Sequence, residues 1–152
     1  MNCLLVGEGK MSNVLIVDDS ETVRTQLRND LTNEGYTTFE ACSGLEGLKI
    51  LEGNANRIDL IFCDVNMPEM DGLSMCRELH KDPILSKIPI FMLTTQTSQE
   101  MKADGKESGV VAWIIKPYEK KKVMGGVAKV LARKISVADR QCCSIDPLAS
   151  PG

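Results

Sequence analysis

The chain is poor in aromatic residues. Phe, Tyr and Trp make up 4% of its 152 residues, with one Trp, and there is one histidine. So few rings leave no stacking platform for single-stranded nucleic acid. Charge does not favour nucleic acid either: 18 Lys and Arg against 21 Asp and Glu leave −3, and such a chain lacks the basic field that holds phosphate backbones. No apolar run approaches the ~20 residues of a membrane span, and Leu4, Leu5 and Val6 are too few for the apolar region of a secretory signal. Six cysteines are present, none in a C-x-x-C pair, and His80 is their one imidazole complement, which argues against zinc. Cys42, Cys63 and Cys76 lie in apolar or periodic segments, so they are read as reduced thiols of a cytoplasmic protein. His80 is read as a solvated helix residue, and the tail cysteines Cys142 and Cys143 as part of a loose end.

What is present suits one soluble globular domain: 43% hydrophobic and 26% charged residues. A domain of this length removes roughly 68–70% of its unfolded surface from water. Apolar runs alternate with helical patterns. Val14–Val17, Tyr36–Ala41, Leu60–Cys63, Ile88–Leu93 and Val110–Ile115 read as strands. Between and after them run helices near Glu21–Glu34, with Val23, Leu27 and Leu31 on one face, then Leu45–Gly53, Gly72–Lys81, Ser98–Ser108 and Glu119–Lys134. Ser20 and Asp71 are the expected N-caps of the first and third helices. Five βα units in a row imply a parallel sheet covered on both faces. The domain is expected over 13–134, with an N-terminal extension at 1–12 and a flexible tail at 135–152. The Gly7-x-Gly9 pair is discarded as a dinucleotide fingerprint, because a strand follows it rather than a helix.

Open parallel sheets bind ligands at the carboxyl edge of their strands. Asp18 and Asp19 follow the first strand, Asp64 the third, Thr94 and Thr95 the fourth, and Lys116 and Pro117 the fifth. Singly, each has a bland reading: an N-cap, a turn former, a solvated lysine. Together they bring three carboxylates, a hydroxyl and an ammonium to one edge. The carboxylates repel unless a cation or a proton intervenes. Mg²⁺ suits them, being hard and held by one or two carboxylates plus waters and phosphate oxygens. A carboxylate beside Mg²⁺, flanked by an ammonium and a hydroxyl, is a phosphoryl-acceptor site.

Four segments carry a resemblance: Val14–Ser20 (VLIVDDS), Asp64–Gly72 (DVNMPEMDG), Pro89–Thr94 (PIFMLT) and Ile114–Tyr118 (IIKPY). In that order the chain resembles the receiver domain of two-component response regulators, of the CheY-like single-domain type, over about Asn13 to Lys134. The resemblance implies a flavodoxin-like α/β fold, a doubly wound five-stranded parallel sheet in strand order 2-1-3-4-5. It implies Asp64 as phosphoacceptor. Mg²⁺ would be held by Asp18, Asp19, Asp64 and the backbone carbonyl of Asn66, with Lys116 pairing with the phosphoryl group and Thr94 bonding it. Pro117 would follow a cis peptide. Met67, Thr95 and Pro117 would border the site, and Thr95 would crowd the attacking water. Trp113 stands where the family carries Tyr or Phe: it is either the ring that turns inward with Thr94 or an anchor of the fifth strand.

The implied function is a cytoplasmic phosphorylation switch, charged by a histidine kinase and read by a protein target in chemotaxis or a phosphorelay. Nucleic-acid contact and membrane insertion are not expected. The competing readings are a phosphatase with Asp64 as nucleophile and a degenerate receiver used as a scaffold. About 18 residues follow Lys134, which points to protein contact as output. The fourth helix, polar nearly all round, carries Gly105 at its middle, and is expected to be loose and mobile.

Overall fold

The computed structural model describes residues 12–54, 57–67, 69–95 and 98–142, with side chains through 132. Strands β1 (Asn13–Val17), β2 (Thr37–Ala41), β3 (Leu60–Asp64), β4 (Ile90–Thr94) and β5 (Val110–Ile115) form one sheet. Its order is β2-β1-β3-β4-β5 and every pairing is parallel. The helices are α1 (Glu21–Asn33), α2 (Gly44–Asn54), α3 (Gly72–His80), α4 (Gln99–Glu107) and α5 (Lys120–Cys142), with a 3-10 turn at Leu85–Lys87. This is the expected architecture.

Alternation along the central strands divides the core in two. Leu15, Val17, Ile61, Cys63 and Met92 face α2 and α3, where they meet Leu51, Met75, Cys76 and Leu79. Val14, Ile16, Phe62, Phe91 and Leu93 face α1 and α5, against Leu27, Leu31, Val127 and Leu131. Phe62 and Phe91, cross-strand partners, pack edge to face at 5.3 Å. With β1, β3 and β4 covered on both faces, their sequences read as continuous apolar runs.

The caps fall where the residue types place them. Ser20 accepts from Val23 N at the start of α1, and Asp71 from Ser74 N at the start of α3. Ser98 does the same for α4, accepting from Met101 N.

Three details differ from expectation. The last helix continues to Cys142 instead of ending near Lys134, so the first eight residues assigned to the tail are helical. Cys42 is exposed just past β2, while Cys63 and Cys76 are buried free thiols. Gly105, expected only as a loosening residue, is also a packing position: a Cβ there would stand 2.7 Å from Trp113 Cζ2. Of the expected extension at 1–12, residues 1–11, with Cys3, Gly7 and Gly9, lie outside the described residues, as do Pro68 and 143–152 with Cys143, Pro147 and Pro151.

Candidate functional site

The β1–α1 connection is three residues long. Asp18 leaves the strand still tied to the sheet, its amide donating to Ala41 O at 3.1 Å. Its carboxylate turns inward: Oδ1 accepts from Ser20 N at 2.8 Å and Oδ2 from Lys116 Nζ at 3.0 Å. Asp18 is fully buried, whereas Asp19 beside it is exposed. From the adjacent strand, Asp64 sends a buried carboxylate into the same space, and its Oδ1 accepts from Lys116 Nζ, also at 3.0 Å. Carboxylate oxygens of Asp18, Asp19 and Asp64 all lie within 4.8 Å of one another.

Lys116 reaches the cluster from the end of β5. Its amide donates to Thr94 O at 2.8 Å, and the Lys116–Pro117 peptide is cis. Its ammonium therefore bridges two carboxylates. Burial alone pulls the ammonium down, but bonds and charges from Asp64 and Asp18 outweigh it and hold its pKa above the ordinary lysine value. Asp64 moves the other way from most ion-paired carboxylates. Burial raises it, the Lys116 bond opposes, and the charges of Asp18 and Asp19 add to the rise. One ammonium does not balance three converging carboxylates.

That imbalance is what suits the cluster to a hard dication. Octahedral Mg²⁺ has ligand oxygens at ~2.0–2.1 Å, so opposite ligands stand about 4.2 Å apart, and it keeps several waters. Carboxylate oxygens gathered within 4.8 Å of one another are close enough for a single dication to serve all three, directly or through its waters. Exposure makes Asp19 the open face. Asn66 is exposed two residues beyond Asp64.

Thr94 ends β4, buried, one register step beyond the Leu93 that pairs with Asp64. Met67 is buried, and Thr95, the residue after β4, is exposed. Gly72 N donates to Val65 O at 2.9 Å, drawing α3 so close that a side chain at 72 would meet the Asp64 carbonyl oxygen. In the loop between, Glu69 adopts φ 68°, in the left-handed region. Trp113 is not among the carboxylates: it is half-buried, packed on the α2–α3–α4 side of the sheet.

Sequence reasoning passed over Arg24. Its Nη1 donates to Asp18 O at 2.7 Å and its Nε to Glu40 Oε1 at 3.3 Å. A backbone acceptor leaves no signal in a sequence.

The profile of the response regulator receiver domain matches residues 14–128. The chain belongs to that family. Receiver domains are signalling proteins rather than enzymes that turn over a substrate. The chain is 38% identical over 106 residues to the chemotaxis protein CheY1 of Helicobacter pylori, covering 69% of this chain and 85% of that one. The solved CheY4 of Vibrio cholerae superposes with a TM-score of 0.74 at 35% identity, over 79% of this chain and 98% of that one. A CheX–CheY–BeF₃–Mg²⁺ complex from Borrelia burgdorferi gives 0.73 at 28%, over 78% and 88%. Other curated relatives are longer: the chain spans about half (48%) of a transcriptional regulator and 13% of a sensor histidine kinase. No helix among the described residues is long and apolar enough to cross a membrane.

Proposed function

We propose that this protein is a cytoplasmic phosphorylation switch that takes a phosphoryl group from a histidine kinase onto Asp64 and then presents an altered surface to a protein target. The observation that carries the reading is the Asp64 carboxylate itself, enclosed among Asp18, Asp19 and the Lys116 ammonium at the carboxyl edge of the sheet.

Asp64 is the nucleophile. Its carboxylate oxygen attacks phosphorus in line, and the phosphorus–nitrogen bond of the donor phosphohistidine breaks as the acyl phosphate forms. Asp18, Asp19, Asp64 and the Asn66 carbonyl would hold Mg²⁺, which when bound would neutralise charge on the transferring phosphoryl oxygens. Lys116 already stands 3.0 Å from Asp64 Oδ1 and is the ammonium that follows the new anion. Thr94, joined to Lys116 through its carbonyl, supplies a hydroxyl to the phosphoryl group. Met67, Thr95 and Pro117 border the site, and Thr95 crowds the water that would hydrolyse the acyl phosphate.

Phosphorylation adds about −1.5 to −2 charges at one point, and a segment with two arrangements must respond for it to be felt elsewhere. Trp113 and α4 are that segment. The reading surface is α4, β5 and α5, where Val111 and Ile115 are exposed and a groove of about 510 Å³ lies between β5 and α5. The Mg²⁺ and BeF₃ in the Borrelia burgdorferi complex, and the chemotaxis relatives, support the same reading.

The test is to incubate the protein with acetyl phosphate and Mg²⁺ and record its intact mass. One phosphoryl mass should appear in the wild type and not in Asp64→Asn. An unmodified wild type, an equally modified Asp64→Asn, or repeated turnover of phosphate esters would each defeat the proposal.

A further inference from the structure

We infer that Arg24 is the positioning residue of the cation site, acting through the backbone of Asp18; the inference rests on the Mg²⁺ reading above. Arg24 and Arg28 lie one turn apart on the face of α1 that meets β2. Glu40 of β2 binds both, through Oε1 to Arg24 Nε at 3.3 Å and through Oε2 to Arg28 Nη1 at 2.8 Å. Held this way, the Arg24 side chain is 16% exposed, and its Nη1 donates to the Asp18 carbonyl at 2.7 Å.

Asp18 is thereby fixed at both main-chain atoms, with its amide on Ala41 O of β2 and its carbonyl on Arg24. Both anchors lead to β2, because Glu40 and Ala41 are consecutive. The short β1–α1 loop becomes a rigid shelf, and the carboxylates of Asp18 and Asp19 are presented before a cation arrives. A guanidinium can do this with one planar group, since its fork serves two acceptors in fixed directions. A cation that finds ordered ligands loses less in ordering them. Groups one step behind metal ligands commonly govern affinity by 10–100-fold.

The experiment compares wild type, Arg24→Met, Arg24→Lys and Glu40→Gln. Mg²⁺ is titrated by calorimetry, and amide hydrogen exchange is measured in EDTA. Arg24→Met should bind Mg²⁺ ~10-fold or more weakly. Without metal its Ser20 amide, bonded to Asp18 Oδ1, should exchange faster while the Leu15–Val17 amides keep their protection. Arg24→Lys, with one ammonium for two acceptors, should fall between. Glu40→Gln leaves Arg24 without its charge partner and should shift both readouts in the same direction, which keeps the test decisive if Arg24→Met does not fold. Wild-type Mg²⁺ binding that persists unaltered in the folded variants, or Ser20 exchange unaltered in EDTA, overturns the role of Arg24 alone. A wild-type protein that binds no Mg²⁺ overturns the cation site and this inference with it.

Discussion

Gly105 lies directly against the indole of Trp113: a Cβ at position 105 would stand 2.7 Å from Trp113 Cζ2 and 3.2 Å from the side chain of Val110. Helix α4 therefore rests on the Trp ring, so a displacement of either one meets the other. A bulkier ring on β5 is accommodated by the absence of a side chain on the helix above it.

Gly105→Ala sets two effects against each other. Alanine gains about 0.5–1 kcal/mol of helix propensity, while overpacking costs about 1–3 kcal/mol. The clash should win, giving a less stable protein with a displaced ring. Trp113 is the one Trp of the chain, so its emission reports the displacement directly. Gly53→Ala on α2 is the control, since nothing lies within 4 Å of a Cβ there. It should stabilise by about 0.5–1 kcal/mol with unchanged emission. A stabilised Gly105→Ala with wild-type emission would refute the contact.

Asp64→Asn should raise the unfolding temperature at pH 7 in EDTA. Burial, followed by the charges of Asp18 and Asp19, raises the Asp64 carboxyl above its ordinary range despite Lys116. The folded protein therefore holds that proton more tightly than the unfolded chain. The resulting stability is present below the unfolded pKa and is lost as pH rises through the folded one. Asparagine removes the loss, with about 2–4 °C gained per kcal/mol in a chain of this size. The advantage should shrink as pH falls through the Asp64 titration, and saturating Mg²⁺ should stabilise the wild type selectively. Equal melting curves at pH 7 would count against the charge imbalance.

The fold was legible because β1, β3 and β4 are buried on both faces, leaving uninterrupted apolar runs with a polar residue at each end. Asp18, Asp64, Thr94 and Lys116 stood out for the same reason: each follows its own run. The contact of Gly105 with Trp113 was not legible, because a mid-helix glycine looks alike whether it only loosens a helix or also seats it. Arg24 was passed over because its partner is a carbonyl oxygen, which every residue carries. The end of α5 was placed too early because periodicity fades after Leu131, although the helix continues.

Tyr118→Phe should loosen the tie between α1 and the segment after Lys116. Tyr118 Oη donates to Asp30 Oδ2 at 2.6 Å, with Lys120 Nζ at 3.8 Å from the other Asp30 oxygen. Losing a bond to a charged group costs roughly 1.5 kcal/mol at the low end, and Lys120 keeps the carboxylate paired. Burial, then the bond and charge of Asp30, push the phenol well above its ordinary value. That contribution is intact below pH ~10 and is lost as pH rises beyond it. Wild-type stability should therefore fall faster than that of Tyr118→Phe above pH 10, read by urea unfolding. Parallel pH profiles would remove the role of this bond.

Helix α4 should be the element that responds to phosphorylation. It buries only Gly105 fully and Met101 in part, whereas α1 buries Leu27 and Leu31, and α3 buries Leu73, Met75, Cys76 and Leu79. Its ion pair to α3, Arg77 to Asp104 at 3.9 Å, is exposed on both sides and contributes about 0–1 kcal/mol. Elements with so few buried contacts open at the low end of a protein's stability range. Amides of Ala103–Glu107 should exchange faster than those of Leu27–Leu31 and Met75–Leu79 in the same sample. Acetyl phosphate with Mg²⁺ should then change the α4 rates, together with Trp113 emission, because the ring and Gly105 are in contact. Protection in α4 equal to that in α1, and indifferent to phosphorylation, would move the switch off this helix. The groove between β5 and α5, which Trp113, Tyr118 and Val123 also line, would then be the surface to examine.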